Sequence, residues 1–242
     1  MERIDDLQLK GLKVIQNPQG FCFGIDAVLL ANHVKLKPKD RVVDLGTGTG
    51  IIPLLLAGKS KTSTFQGLEL QQEVFHMARR SVALNRLEDR IEIIHGDLKA
   101  LEGVFPKSVY DVVTANPPYM HKEGLINPGD AKALSRHEVA CNIEDVVKAA
   151  ARLLRTHGRF YMIHRPNRLV DILFFMRSYG VEPKGLRMIH PKEGKAPNLF
   201  IVEGKKGAGK ELKIHPPLRI YEASGAYTQE TLALYNRENL EG

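Results

Sequence analysis

The run Val42-Val43-Asp44-Leu45-Gly46-Thr47-Gly48-Thr49-Gly50 sets three glycines between a β-branched stretch and the apolar segment that begins at Ile51. Few folds accommodate it. Glycine lets a chain turn sharply and leaves no Cβ between backbone and ligand, which is what the carboxyl edge of an open α/β sheet requires where strand passes into helix. The rest of the chain agrees. From Arg41 onward, short β-branched runs alternate with longer amphipathic stretches, the pattern of βα units in a mostly parallel sheet. Strands are predicted over 41–44, 64–68, 91–94, 110–115 and 159–163. Helices are predicted over 71–85, where Val74, Phe75, Ala78 and Val82 keep helical spacing, and over 143–154 and 167–179. Two later runs, 186–190 and 198–203, follow one another and predict an antiparallel pair at the sheet edge.

Residues 1–40 precede the first core strand and hold one helical candidate, 27–33. They are read as an N-terminal cap or hairpin over the carboxyl ends of the strands, and 41–242 as the main domain. The stretch 119–138 is long for a loop in a compact domain and is either a lid or disordered. Of the 242 residues, 43% are hydrophobic, enough for a substantial core, and 35 Lys and Arg against 28 Asp and Glu give a formal charge of +7. A basic balance favours polyanionic partners such as RNA. Cys22 and Cys141 belong to no CxxC or Cys/His cluster, so no metal site and no disulfide framework is expected. No stretch approaches the roughly 18 apolar residues that cross a bilayer, and no signal segment is read, so a cytoplasmic protein with no membrane partner is expected.

The spacing Gly46-x-Gly48-x-Gly50 differs from the GxGxxG of dinucleotide-binding turns, and Asp44 stands just ahead of it. A carboxylate there would repel a pyrophosphate. It suits a cationic methionine moiety, so S-adenosyl-L-methionine is the expected cofactor. Glu69 closes the second strand, where a carboxylate accepts hydrogen bonds from both hydroxyls of a ribose. Asp97 follows the third strand and is either the acceptor for the adenine amino group, with Leu98 donating its backbone amide, or a plain helix cap.

The fourth strand runs straight into Asn116-Pro117-Pro118-Tyr119. The nitrogen of an aromatic amine or an amide shares its lone pair with a π system and is a poor nucleophile until that pair is redirected. Acceptors at the Asn116 side-chain oxygen and the Pro117 carbonyl would each take one N–H, turn the lone pair toward a methyl donor and stabilise positive charge developing on nitrogen. The two prolines lack amide protons and have fixed φ, which holds that carbonyl outward. Tyr119 offers a face for stacking a base, typically worth about 1–3 kcal/mol.

Together Asp44 to Gly50, Glu69, Asp97 and Asn116 to Tyr119 resemble the class I amino-methyltransferases. Across nearly the whole chain the resemblance is to the tRNA(Val) adenine-37 N6-methyltransferases, carried also by 21–30, His137-Glu138, Pro216-Pro217-Leu218 and Ile220-Tyr221. The resemblance implies a Rossmann-like sheet of seven strands. It implies a cofactor set of Phe23, Asp44, Gly46, Thr47, Gly48, Gly50, Glu69, Leu70, Asp97, Leu98 and Asn116, and as substrate an adenine in a tRNA anticodon loop. The alternative is a glutamine N5-methyltransferase acting on a translation release factor, since those enzymes share the four-residue motif. Their usual helical domain ahead of the glycine turn has little room in 40 residues. A non-enzymatic RNA-binding module with a vestigial pocket is the third reading.

Gly204-Lys205-Lys206-Gly207-Ala208-Gly209-Lys210 has phosphate-loop glycine spacing, but Glu211 stands where such a loop needs a hydroxyl. It is read as a basic hairpin turn, with Lys205, Lys206 and Lys210 as candidate contacts to RNA phosphates. Lys35, Lys37 and Lys39 read as a solvated linker.

Overall fold

The computed structural model describes residues 2–18, 24–118 and 142–235. In chain order these form β1 (Arg3–Asp6), β2 (Lys13–Gln16), α1 (Ile25–His33), β3 (Arg41–Leu45), α2 (Ile51–Lys59), β4 (Thr64–Glu69), α3 (Gln72–Leu84), β5 (Ile91–His95) and β6 (Tyr110–Ala115). There follow α4 (Ile143–Leu153), β7 (Leu154–His164), α5 (Leu169–Ser178), β8 (Val181–Lys192), β9 (Leu199–Lys206), β10 (Lys213–Ile214), β11 (Leu218–Tyr221) and α6 (Gln229–Leu234). The main sheet runs β5-β4-β3-β6-β7-β9-β8, with β10 and β11 both paired along the outer side of β8. Strands β3 to β7 are parallel, and β9 is antiparallel to both of its neighbours.

Seven of these strands are those expected, and the antiparallel pair forms. Its place is refined: β9 lies between β7 and β8, and the two short strands add to β8, so the sheet has nine strands among the described residues. Strand β10 is two residues long, too short for an alternation signal, and β11 is four, at the lower limit of one.

Side chains alternate between two apolar layers because successive strand residues face opposite ways. Val42, Val112, Tyr161 and Ile163 face α1, α2 and α3, while Val43, Val113, Phe160 and Met162 face α4 and α5. Helix α2 is buried from Ile51 to Ala57, which explains its uninterrupted apolar sequence. Helix α4 starts at a capping box: the Asn142 side chain accepts from Asp145 N at 2.9 Å and Asp145 Oδ2 accepts from Asn142 N at 3.2 Å.

The β1–β2 hairpin packs elsewhere than over the carboxyl ends of the strands. Asn85, which closes α3, accepts from Lys13 N at 2.8 Å, and Ser81 Oγ accepts from Ile15 N at 2.9 Å. Leu9 and Leu12 lie against Gly58 near the end of α2. Both helix ends lie toward the amino edge of the sheet, where the apolar flanks of α2 and α3 need cover.

Two further expectations change. Strand β10 runs parallel to β8, so residues 207–212 carry the chain over to the outer side of β8 and are not a hairpin turn. Lys206 points inward, donating to the carbonyls of Ala151 at 2.6 Å and Leu154 at 2.7 Å where α4 ends. The C-terminal carbonyls of a helix lack backbone donors, and a lysine ammonium satisfies them.

Candidate functional site

Strand register brings the motifs together. Leu45 is level with Leu68 on one side and with Ala115 on the other, and Glu69 is level with His95. The glycine turn, Glu69, the segment after β5 and Asn116 therefore follow the carboxyl ends of four adjacent strands, about 4.8 Å from one to the next.

The turn is held by backbone bonds. Thr47 N donates to Leu68 O at 2.9 Å and Gly50 N to Thr47 O at 3.1 Å. Gly46, Gly48 and Gly50 have φ of +68°, +58° and +83°, a region that disfavours any residue with a Cβ. A Cβ on Gly46 would meet nothing within 4 Å, so this backbone faces open space.

Asp44 is buried at 1% exposure and accepts from Thr114 Oγ1 at 2.6 Å. Burial pushes its carboxyl up to about 7, against the pull of the Thr114 hydroxyl. Its second oxygen and the hydroxyls of Thr47 and Thr49 are also buried; the Thr47 hydroxyl, like that of Thr114, pulls the Asp44 pKa down, and Thr49 Oγ1 has no hydrogen-bond partner among the described residues. A buried polar group left unsatisfied costs about 1–3 kcal/mol, and such under-satisfied groups around one glycine turn fit a site built to receive a polar, cationic ligand. The residues thus match the chemistry of the methionine end of S-adenosyl-L-methionine.

Glu69 is buried, and its two oxygens accept from Gly48 N at 2.9 Å and Gln71 N at 2.8 Å. The carboxylate therefore fixes the glycine turn and keeps lone pairs for further donors. Burial raises its pKa, and the amide bonds oppose that rise. Leu70 is 40% exposed beside it, with its carbonyl 2.9 Å from His95 Nε2. Asp97 and Leu98 are half-buried, and Asp97 caps a turn by accepting from Lys99 N at 2.8 Å. Asn116 is half-buried, Pro117 buried and Pro118 exposed, directly after β6. Phe23, Tyr119 and His137-Glu138 lie outside the described residues, as do both cysteines.

Two residues of this edge escaped sequence reading. Thr114 is level with Asp44 across the β3–β6 ladder, and only that pairing reveals its role. Gly67 is level with Asp44 on β4, where a Cβ would come within 2.8 Å of Thr47 Cγ2 and 2.9 Å of its hydroxyl. Its missing side chain is what seats Thr47, but one glycine in a strand carries no such message.

A β5-β4-β3-β6-β7 sheet with carboxylates at successive strand ends and a proline-braced amide at the next defines an α/β methyltransferase. Residues 12–170 match the model of the methyltransferase small domain, and the chain belongs to that family. It is 28% identical over 238 residues to a Porphyromonas gingivalis protein, covering 95% of this chain and 93% of that one. A Pedobacter heparinus protein is 27% identical over 221 residues, covering 91% and 92%. Both relatives are named tRNA1(Val) (adenine(37)-N6)-methyltransferase.

Among solved structures, a predicted O-methyltransferase of Agrobacterium tumefaciens superposes with a TM-score of 0.71 at 27% identity, covering 88% of this chain and 96% of its own. The geranyl diphosphate C-methyltransferase of Streptomyces coelicolor, solved with S-adenosyl-L-homocysteine, shares the fold at a TM-score of 0.56 and 13% identity, covering 75% and 80%.

Proposed function

We propose that the chain methylates the exocyclic N6 amine of an adenine in tRNA, with S-adenosyl-L-methionine as donor and adenine 37 of tRNA(Val) as the target. The observation that carries this is Asn116-Pro117-Pro118 at the end of β6, level with the glycine turn after β3. The names of relatives that match over nine-tenths of their length support the choice of tRNA, as does the formal charge of +7. Among the described residues no helix is long and apolar enough to cross a membrane.

The donor supplies an electrophilic methyl group on a sulfonium centre. Asp44, Thr47 and the glycine turn would hold its amino-acid end, Glu69 its ribose, and Asp97 with Leu98 its adenine, with Phe23 and Leu70 as the remaining candidate contacts. Asn116 Oδ1 and the Pro117 carbonyl accept the two N–H groups of the substrate amine and keep its lone pair aimed at the methyl. Tyr119 stacks on the target base, which must leave its own stack to reach the site. The proton shed after transfer goes to water, so no general base is required.

The test incubates the protein and labelled donor with total tRNA and, separately, with a translation release factor, then maps the modified residue by mass spectrometry. N6-methyladenosine at position 37 of tRNA(Val) is expected, and label in the release factor alone would overturn the reading. Asn116→Ala should lower kcat by roughly 10²- to 10³-fold, the range for losing one transition-state hydrogen bond, with donor affinity within about twofold.

A further inference from the structure

Sheet register also places a second group of side chains above the same edge. Ala115 is level with Met162, Met162 with Val202, and Val202 with Leu186. Strand β8 continues six residues beyond Leu186 to Lys192, which is level with Tyr221 on β11. At about 3.3 Å per residue this ribbon extends on the order of 20 Å, along its own strand direction, past the residue in register with Ala115. Its outer strand β11 stands four strand spacings from β6, roughly 19 Å.

The tip of the ribbon is aromatic and cationic. Tyr221 stacks on Tyr227, with ring centroids 5.1 Å apart and planes 15° apart, and Tyr227 stacks on Tyr235 at 5.8 Å and 30°. The inner end is anchored, since Tyr227 and Tyr235 are partly buried against the apolar layer that holds Val42, Tyr161 and Ile220. The outer end is open, with Tyr221 38% exposed. Arg219 shares the exposed side of β11 with Tyr221, because Leu218 and Ile220, which alternate with them, are buried. Its partner Glu193 is 3.2 Å away and 83% exposed, a pair weak enough to yield to a phosphate. Lys192 is exposed beside them.

We propose that this tip is a docking platform for the RNA substrate, in which Tyr221 stacks on an unpaired base and Arg219 and Lys192 take the flanking phosphates. An anchored aromatic ladder costs little ordering when a base extends it, and stacking of this kind is tolerant of sequence. The platform lies on the order of 25 Å from Asn116, about seven stacked nucleotides at 3.4 Å each. A polymeric substrate reaches both points; a free nucleoside reaches only one. The inference rests on the RNA reading of the catalytic site.

The experiment measures steady-state kinetics with tRNA transcripts for the wild type and for Tyr221→Ala, Tyr221→Leu and Tyr221→Phe, alongside donor affinity by calorimetry and melting temperature. Tyr221→Ala should raise KM for tRNA roughly five- to a hundredfold, with kcat and donor affinity within about twofold. Tyr221→Phe should match the wild type, and Tyr221→Leu should follow Tyr221→Ala. Lys192→Ala should weaken tRNA binding and lower its salt dependence by about one released counterion. An unchanged KM in Tyr221→Ala, or full rescue by Tyr221→Leu, overturns the platform while leaving tRNA methylation intact. A wild type that methylates release factor and no tRNA overturns both readings together.

Discussion

Asp44 binds its own proton more tightly than an ordinary aspartate because burial penalises the charge, with a folded-state pKa of about 7 against 3.8 for an exposed aspartate. Between those values the folded chain holds a proton that the unfolded chain has released. Stability of the ligand-free protein should therefore fall as pH rises from about 4, with the loss complete above about 7. Each pKa unit corresponds to about 1.4 kcal/mol, so the effect is on the order of a few kcal/mol. A cationic ligand works the other way, since its ammonium favours the carboxylate. Affinity for S-adenosyl-L-methionine should climb from pH 5.5 to 7 and fall again above about 8, where an α-amino group loses its charge. Calorimetric titration across that range tests it: in Asp44→Asn the acidic limb should vanish, and a wild-type profile flat from pH 5.5 to 7 would remove the carboxylate from the ammonium site.

Among the secondary elements, β9 contributes most of what the sequence did not announce. Lys206 at its end reads as one more surface cation in a glycine-rich basic run, yet it closes α4 by donating to Ala151 and Leu154. Charged hydrogen bonds contribute about 1.5–3 kcal/mol each in favourable settings, and this lysine is partly exposed, so Lys206→Ala should cost about 1–2 kcal/mol. At this chain length that lowers the melting temperature by roughly 2–8 °C, with tRNA affinity unchanged. Thermal unfolding and a tRNA binding assay decide it, and weaker binding at an unchanged melting temperature would restore Lys206 to the RNA-facing surface. The contrast with β3 is physical. There the apolar run, the glycines and Asp44 are contiguous, so local sequence carries strand, turn and site at once. The partners of Lys206, the seat of Thr47 against Gly67 and the bond from Thr114 to Asp44 all join residues far apart in the chain. Such information exists only once the strands are paired.

For the whole molecule, the same distinction separates the two layers of the core from the hairpin that seals one of them. The βα alternation made both layers legible, because Val42 and Val43, or Phe160 and Tyr161, must face opposite sides of a strand. Nothing local said that β1 and β2 would cover α2 and α3. The hairpin is fixed there by Leu7, Leu9, Leu12 and Val14, none more than 9% exposed, and by Asn85 bonding both Lys13 N and Lys13 O. Burying one such aliphatic side chain contributes about 1.5–3 kcal/mol, so four of them amount to roughly 6–12 kcal/mol before the entropy of ordering the hairpin is subtracted. That gross sum is comparable to the whole stability of a typical domain, about 5–15 kcal/mol. Deleting residues 2–16 should therefore abolish a cooperative urea transition, although the deletion touches no residue of the catalytic edge. Asn85→Ala removes only the two Lys13 bonds and one to Ser81, and should lower the urea midpoint while keeping a two-state curve. If the deleted chain unfolded at the wild-type midpoint, the hairpin would be an appendage and the core would end at α2 and α3.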